Sequence, residues 1–221
     1  MELSKEQIRE IIARRVAKEL HEGDYVTLGI GLPTEVANYI PQSMHVMIQS
    51  ENGVIGVGPY PAPEKIIPNI TNAGGIPVTT KQGAVFFDSM TSFTMIRGGH
   101  IDATVLGALQ VDQEGNIANW MVPGVMVPGM GGAMDLVVGA KKVIVAMEHL
   151  SKNGVKILKK CTLPLTAAHE VDLIVTERCV LRVTENGLVL EEINPLFSLE
   201  DITSTIEADL IIPEHLQNIA A

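Results

Sequence analysis

The tripeptide Glu-Asn-Gly occurs twice in this chain, as Glu51-Asn52-Gly53 and as Glu185-Asn186-Gly187. A carboxylate fixed among glycines can serve as a nucleophile or a base. Asn-Gly is also the strongest short hairpin signal, because a type I′ turn needs positive φ at both central residues. Each copy therefore poses a choice between a turn and a chemical group, and cross-strand pairing separates them. With Asn186 and Gly187 as the two loop residues, Val183 faces Leu190, Val180 faces Ile193 and Arg182 faces Glu191. Apolar residues meet apolar ones and the arginine meets a carboxylate, which is how a ladder is stabilised. That copy is expected to be a hairpin with Glu185 solvated beside it. The same pairing around Asn52-Gly53 sets Gln49 against Gly56, Met47 against Gly58 and Val46 against Pro59. Glycine weakens a strand interior and proline cannot donate to the ladder. "VIGVGPYPAP" is thus expected to be a loop, leaving Glu51 just past the carboxyl end of a strand. Ligands of open α/β sheets bind at such ends. Position alone leaves a functional Glu51 and a buried structural carboxylate equally open.

The flanking stretches read as the elements that hold this position. Residues 5–21 form an amphipathic pattern, with Ile8, Ile11, Ile12, Val16 and Leu20 as its apolar stripe, Arg15 at the margin and Gly23 as C-cap. "YVTLGI" (25–30) reads as a strand, Gly29 and Gly31 loop into a helix with Thr34 as N-cap, and "HVMIQS" (45–50) reads as a second strand. Strand, helix and strand in this order imply a parallel sheet covered by helices. Further on, "TSFTMIRGGH" is a short helix stopped by Gly98 and Gly99, and "ATVLGALQV" (103–111) is one buried strand. Gly115 supplies positive φ in a turn, and "KKVIVAMEH" (141–149) and "VDLIVTE" (171–177) are strands. A helix is expected after Pro195. The stretch 122–140, divided by Pro123 and Pro128, is rich in glycine. Such a stretch either brings backbone close to a ligand or makes tight turns. With no repeat, low-complexity tract or linker, residues 1–221 are expected to form a single α/β domain.

Composition narrows the function. Hydrophobic residues are 46% and charged residues 19%, as in a globular protein, and the net charge is -10. That charge argues against sequence-independent binding to nucleic acid or to an anionic membrane. Cys161 and Cys179 have no CxxC spacing and read as two buried free thiols of a reducing compartment. There is no P-loop and no His/Cys metal constellation. "MELSKEQIREII" is charged where a signal peptide would be apolar, and every apolar run is broken before about 18 residues. A cytoplasmic protein is expected. Arg97 and His100 beside a Gly-Gly turn, and Glu148-His149 at a strand end, read first as structural groups. Lys141 and Lys142 read as a solvated strand entrance, and Trp120 and the ten methionines as packing or subunit contact.

Together, "LGIGLPT", "QSENG", "SFTMIRGGHIDATVLGALQV", "NIANWMVPG", "GMGGAMDLV" and "KKVIVAMEH" resemble the β subunit of family I coenzyme A transferases, over roughly residues 5–213. Within that family the chain is similar to the acetate/butyrate–acetoacetate group acting on 3-oxoacids. The resemblance implies a mostly parallel open sheet of the CoA-transferase/sugar-phosphate-isomerase type with a C-terminal β-hairpin. It implies Glu51 as a nucleophile that carries CoA as a thioester, with no metal or resident cofactor, coenzyme A being a co-substrate. By the same resemblance Gly129, Met130, Gly131, Gly132 and Ala133 lie at the site, with Gly131 and Gly132 as oxyanion or CoA contacts. Asn52 and Gly53 would hold the Glu51 turn, and Gly29 and Gly31 would shape the pocket wall. The expected partners are a homologous α subunit, acyl-CoA and short-chain carboxylic acids. Two other readings compete: a sugar-phosphate isomerase or deaminase of similar architecture, and a non-catalytic acyl-CoA-binding subunit. The stretch 59–83 departs furthest from the family pattern.

Overall fold

The computed structural model describes residues 3–125, 127, 129–152 and 154–219; Pro128, singled out above, lies outside the described residues. Helix α1 (Lys5–Ala17) opens on a capping box: Ser4 Oγ accepts the Gln7 N–H at 3.2 Å, and the Gln7 side chain accepts the Ser4 N–H at 2.8 Å. The helix stops short of the expected residue 21, and its C-cap is Lys18 rather than Gly23. Beyond it the Asp24 carboxylate accepts the His21 N–H at 2.8 Å, and the Gly23 N–H donates to the His45 carbonyl at 2.9 Å. These bonds turn the chain into β1 (Tyr25–Leu28). The segment that follows is a 3-10 helix, Leu32–Tyr39, whose N-cap is Gly31 at φ +88°. Thr34, expected as the cap, lies one turn inside and donates its hydroxyl to the Gly31 carbonyl at 2.7 Å.

The remaining elements are β2 (Met47–Ser50), β3 (Val54–Val57), β4 (Thr80–Phe86), α2 (Ser89–Arg97), β5 (Ala103–Leu106), β6 (Gln110–Asp112) and β7 (Ile117–Ala118). After them come α3 (Ala133–Gly139), β8 (Val143–Ala146), β9 (Leu150–Ser151), β10 (Gly154–Val155), β11 (Ile157–Leu158) and β12 (Leu173–Val175). The chain closes with β13 (Cys179–Thr184), β14 (Gly187–Ile193), α4 (Leu199–Thr203), β15 (Leu210–Ile211) and β16 (Gln217–Asn218). The main sheet runs β15-β14-β13-β12-β8-β5-β1-β2-β3-β4, with β16 also on β14. Its centre, β12-β8-β5-β1-β2, is parallel throughout, and antiparallel strands flank it on both sides. The expected mostly parallel, helix-covered sheet is thus present.

Both faces of that centre are buried, and alternation divides them. Val143 and Val145 of β8 pack with Ile96 of α2 and with Leu136 and Val137 of α3 in one cluster. Ile144 and Ala146 pack with Ile12, Ala13 and Val16 of α1 in another. Period-2 geometry sends neighbouring side chains to opposite faces, so a strand covered on both reads as an unbroken apolar run.

Two sequence expectations are corrected here. The stretch 103–111 is not one strand: it breaks at Gly107–Leu109 into β5 of the main sheet and β6 of a small β11-β6-β7 sheet. The Leu109 N–H leaves for the Ala118 carbonyl at 2.9 Å, a partner that only tertiary folding supplies. The β13–β14 hairpin exists, but its register differs from the expected one by two residues beside the turn and by one beyond the irregularity between Val180 and Leu181. Thr184 pairs with Gly187 and Val183 with Leu188, so Glu185 and Asn186 form the loop. Gly187 takes the positive φ (+126°) alone, so the turn is not the type I′ that an Asn-Gly centre would make. Arg182 still meets Glu191, diagonally rather than directly, with Arg182 Nη2 donating to Oε2 at 2.9 Å. Glu185 is exposed, as expected.

Candidate active site

The hydrophobic strand β2 ends at Ser50, and Glu51, Asn52 and Gly53 form a three-residue loop into β3. The expectation that no strand follows Gly53 is therefore wrong. Ser50 pairs with Val54 and Gln49 with Ile55, one residue out of the alignment that a two-residue Asn-Gly loop would give. A slip of one exchanges every cross-strand partner, which is why the pairing test failed for the wrong register. Gly53 makes the longer loop possible: its φ is +117°, its N–H donates to the Ser50 carbonyl at 3.0 Å, and a Cβ there would lie 2.0 Å from the Phe87 carbonyl oxygen. Asn52 turns away from Glu51 and donates its side-chain N–H to the Thr71 carbonyl at 2.8 Å.

Glu51, half-buried, faces the glycine-rich loop that precedes α3. The Gly132 N–H donates to Glu51 Oε1 at 3.2 Å. A Cβ on Gly132 would stand 2.4 Å from Oε2 and 2.7 Å from Cδ, so the carboxylate occupies space that only glycine leaves. Gly131, at φ +53°, bends the loop just before it. Within this stretch Gly124, Gly129 and Gly131 take the positive φ of turns, and Gly132 lets the backbone approach the Glu51 carboxylate. Burial raises the pKa of Glu51 above its ordinary 4.5; the Gly132 N–H opposes the shift and the negative Asp135 adds to it. Asp135, on α3, is held by Arg97 of α2 at 2.6 Å.

These groups line a cavity of about 600 Å³ at the carboxyl ends of β1, β2 and β5. Its wall contains the expected Gly29, Glu51 and Gly129–Ala133. Gly31, expected at the wall, is not among the lining residues; it acts one step removed, by turning the chain into the 3-10 helix that carries the lining residue Thr34. Trp120 lines the cavity with its indole N–H on the Leu165 carbonyl at 3.2 Å, rather than serving packing alone. Ile30, Asn72, Ala73, Gly74 and Asn119 also line it and were missed. Ile30 was read into the strand that in fact ends at Leu28, the others belong to no periodic pattern, and residues 72–74 reach Glu51 only through a turn whose fold the sequence does not announce.

The other candidates lie away from this cavity. His149 is fully buried between the Thr176 and Thr205 hydroxyls at 3.1 and 3.0 Å, and its pKa is pressed to about 3 by burial and by the Arg178 and Lys156 charges. His100 is exposed and does not line the cavity. Lys142 is not simply solvated; it pairs with Glu19 of the α1 C-terminal turn. Cys161 and Cys179 are free thiols, the first half-buried and the second buried. Among the described residues no cluster of His, Cys, Asp or Glu could hold a metal, and no helix is long and apolar enough to cross a membrane.

The chain is 57% identical over 212 residues to a Haemophilus influenzae protein named as the beta chain of acetate CoA-transferase, covering 96% of this chain and 95% of that one. It is 49% identical over 203 residues to a Helicobacter pylori protein named as one subunit of succinyl-CoA:3-ketoacid coenzyme A transferase, covering 91% of this chain and 98% of that one. A solved acyl-CoA transferase of Escherichia coli O157:H7 shares the fold with a TM-score of 0.77 at 23% identity. The likeness covers 99% of this chain but 44% of that one, so this chain spans less than half of it. The coenzyme A transferase family is matched over residues 9–205, and the chain belongs to that family.

Proposed function

We propose that this chain is the glutamate-bearing β subunit of an enzyme that moves coenzyme A between an acyl-CoA and a free short-chain carboxylate of the acetate, butyrate or acetoacetate type. The observation that carries the reading is the Glu51 carboxylate seated on the Gly132 N–H inside the cavity. Glu51 Oε2 attacks the thioester carbonyl, and the C–S bond breaks to give a mixed anhydride and CoA thiolate. The thiolate attacks the glutamyl carbonyl carbon and expels the carboxylic acid as its carboxylate, leaving CoA on Glu51 as a thioester. A second carboxylate reverses the two steps and departs as the new acyl-CoA. Thioester energy is conserved throughout, so no other energy source is needed.

In this scheme Glu51 Oε1 remains the carbonyl oxygen of both the anhydride and the thioester. It takes up negative charge in each tetrahedral adduct at the glutamyl carbon. The Gly132 N–H already points at it, and a fixed backbone donor stabilises such charge without reorganising. Desolvation that raises the Glu51 pKa also strips the carboxylate of water and leaves it a stronger nucleophile.

A homologous α subunit completes the enzyme: relatives of matching length are named as subunits, and this chain spans less than half of the solved acyl-CoA transferase chain. Acetoacetyl-CoA added to the complex of both subunits is expected to place CoA on the peptide containing Glu51, seen as a hydroxylamine-sensitive mass increase. Full turnover by Glu51→Ala would overturn the reading. Tight acyl-CoA binding without transfer would instead favour a non-catalytic subunit, and pentose-phosphate turnover without CoA release an isomerase.

A further inference from the structure

The turn 71–75 is fastened to both residues that flank Glu51. Ser50 Oγ accepts the Ala73 N–H at 2.9 Å, and the Asn52 side chain donates to the Thr71 carbonyl at 2.8 Å. The turn is also braced from within. Asn72 Oδ1 accepts the Gly74 and Ile76 N–H groups at 2.9 and 3.1 Å, and the Gly75 N–H donates to the Asn72 carbonyl at 2.9 Å. An antiparallel bridge between Thr71 and Pro77 closes it. The turn therefore holds a set position relative to Glu51, although it belongs to the stretch that departs most from the family pattern.

Its inner residues, Asn72, Ala73 and Gly74, line the same cavity as Glu51, and Ile30 is beside them. A Cβ on Gly74 would lie 3.1 Å from Ile30 Cγ1 and 3.4 Å from Cδ1, so Gly74 and Ile30 are packed against each other. The polar groups of this wall, Ser50 Oγ and Asn72 Oδ1, already accept hydrogen bonds from the turn. Beside the Asn72 side-chain NH2, what the wall presents is small and apolar: Ala73, the bare Gly74 backbone and the Ile30 side chain, which is 68% exposed.

We infer that Ile30, Ala73 and Gly74 form the surface against which the aliphatic end of the acyl group packs, so that this turn sets the chain length of the carboxylate accepted. The inference rests on Glu51 being the nucleophile, since an acyl group bonded to Glu51 must lie in this cavity. One methylene more or less in an apolar pocket changes kcat/KM by roughly 10–200-fold, which is enough to sort acetate from butyrate and hexanoate.

The test uses the complex of both subunits, charged with CoA from acetoacetyl-CoA and then offered acetate, butyrate or hexanoate. CoA is already on the enzyme at that stage, so differences among acceptors report the carboxylate alone. Ala73→Leu is expected to lower kcat/KM for butyrate and hexanoate at least ~10-fold relative to acetate, because it fills the wall. Ile30→Ala, at a position 68% exposed, is expected to raise hexanoate relative to acetate by about 10-fold. Wild-type acceptor ratios in both variants would overturn the inference. So would an equal loss for all carboxylates accompanied by a higher KM for every acyl-CoA, which would assign the wall to the pantetheine arm. Absence of the CoA adduct in the wild-type complex would instead defeat the Glu51 reading, and the inference with it.

Discussion

At the residue scale, Gly132 and Glu51 compete for the same space. A methyl group on Gly132 would overlap the carboxylate at 2.4 Å, while the backbone of this loop would tolerate it: Gly129 and Gly131 hold positive φ, and Gly132 does not. Gly132→Ala is therefore expected to swing Glu51 off its donor, lowering kcat by about 100-fold while the melting temperature stays within a few degrees, as loss of an oxyanion donor does elsewhere. Equal kcat in wild type and variant would dissociate the contact from catalysis. Glu51 also carries a stability signature. Its folded pKa lies above 4.5, so between those values the folded state binds the extra proton, and stability falls as pH rises through the folded value. Glu51→Gln, neutral at every pH and still able to accept from Gly132, is expected to raise the urea midpoint at pH 7 and to lose that gain below about pH 4.5. A variant no more stable than wild type at pH 7 would contradict this. The place of Glu51 just past the end of β2 was legible from a short motif at a strand end, whereas a role for it came only from the resemblance to coenzyme A transferases. Ile30, Ala73 and Asn119 were not legible, since nothing in an isolated alanine or asparagine states which cavity it will face.

Elements show where sequence reasoning gains and loses. The end of helix α2 was legible, because Gly98 caps it, but its start at Ser89 behind the Asp88 N-cap lies two residues before the expected one. The two Glu-Asn-Gly turns were legible as turns but not in register, because loop length is fixed by where the strands pack and not by the dipeptide at the bend. The extent of α1 was over-read for a similar reason: the apolar stripe continues to Leu20, yet Asp24 and His45 capture the backbone first. The strand-end histidine carries a prediction at this scale. His149 joins the end of β8 to Thr176 after β12 and to Thr205 after α4, and burial keeps it neutral there. The unfolded chain takes up its proton below about 6.5 and the folded chain not until about 3. Stability should fall as pH drops across that window, by up to about 1.4 kcal/mol per pH unit from this group. His149→Gln should flatten that dependence in urea unfolding between pH 6.5 and 4. An unchanged slope would place the acid sensitivity in other groups.

Over the whole molecule, the N-terminal helix is tied to the C-terminal hairpin by charge as well as by packing. Arg15 was read as marginal to the apolar stripe, yet its side chain is only 8% exposed. It bonds Glu19 one turn on at 2.7 Å and Glu192 of β14 at 2.7 Å, and Lys142 at the start of β8 closes the network on Glu19. Sequence could not reveal this, because the partner carboxylate lies 177 residues away. The pairs are well removed from water, with Glu19 and Glu192 exposed 11% and 15%. Removing the cation alone leaves Glu192 without its partner in a poorly solvated place and Glu19 with Lys142 only, whereas exposed pairs are worth about 0–1 kcal/mol. Arg15→Ala is therefore expected to cost about 3–5 kcal/mol in urea unfolding at pH 7. If that cost arises from stranded charge and not from lost packing, neutralising the carboxylates should return it. The triple variant Arg15→Met, Glu19→Gln, Glu192→Gln should recover most of the loss despite having fewer ionic contacts, since apolar replacement of buried ion pairs is often neutral or stabilising. A triple variant as unstable as Arg15→Ala would show instead that the ionic network itself, and not the avoidance of unpaired charge, holds α1 against the sheet.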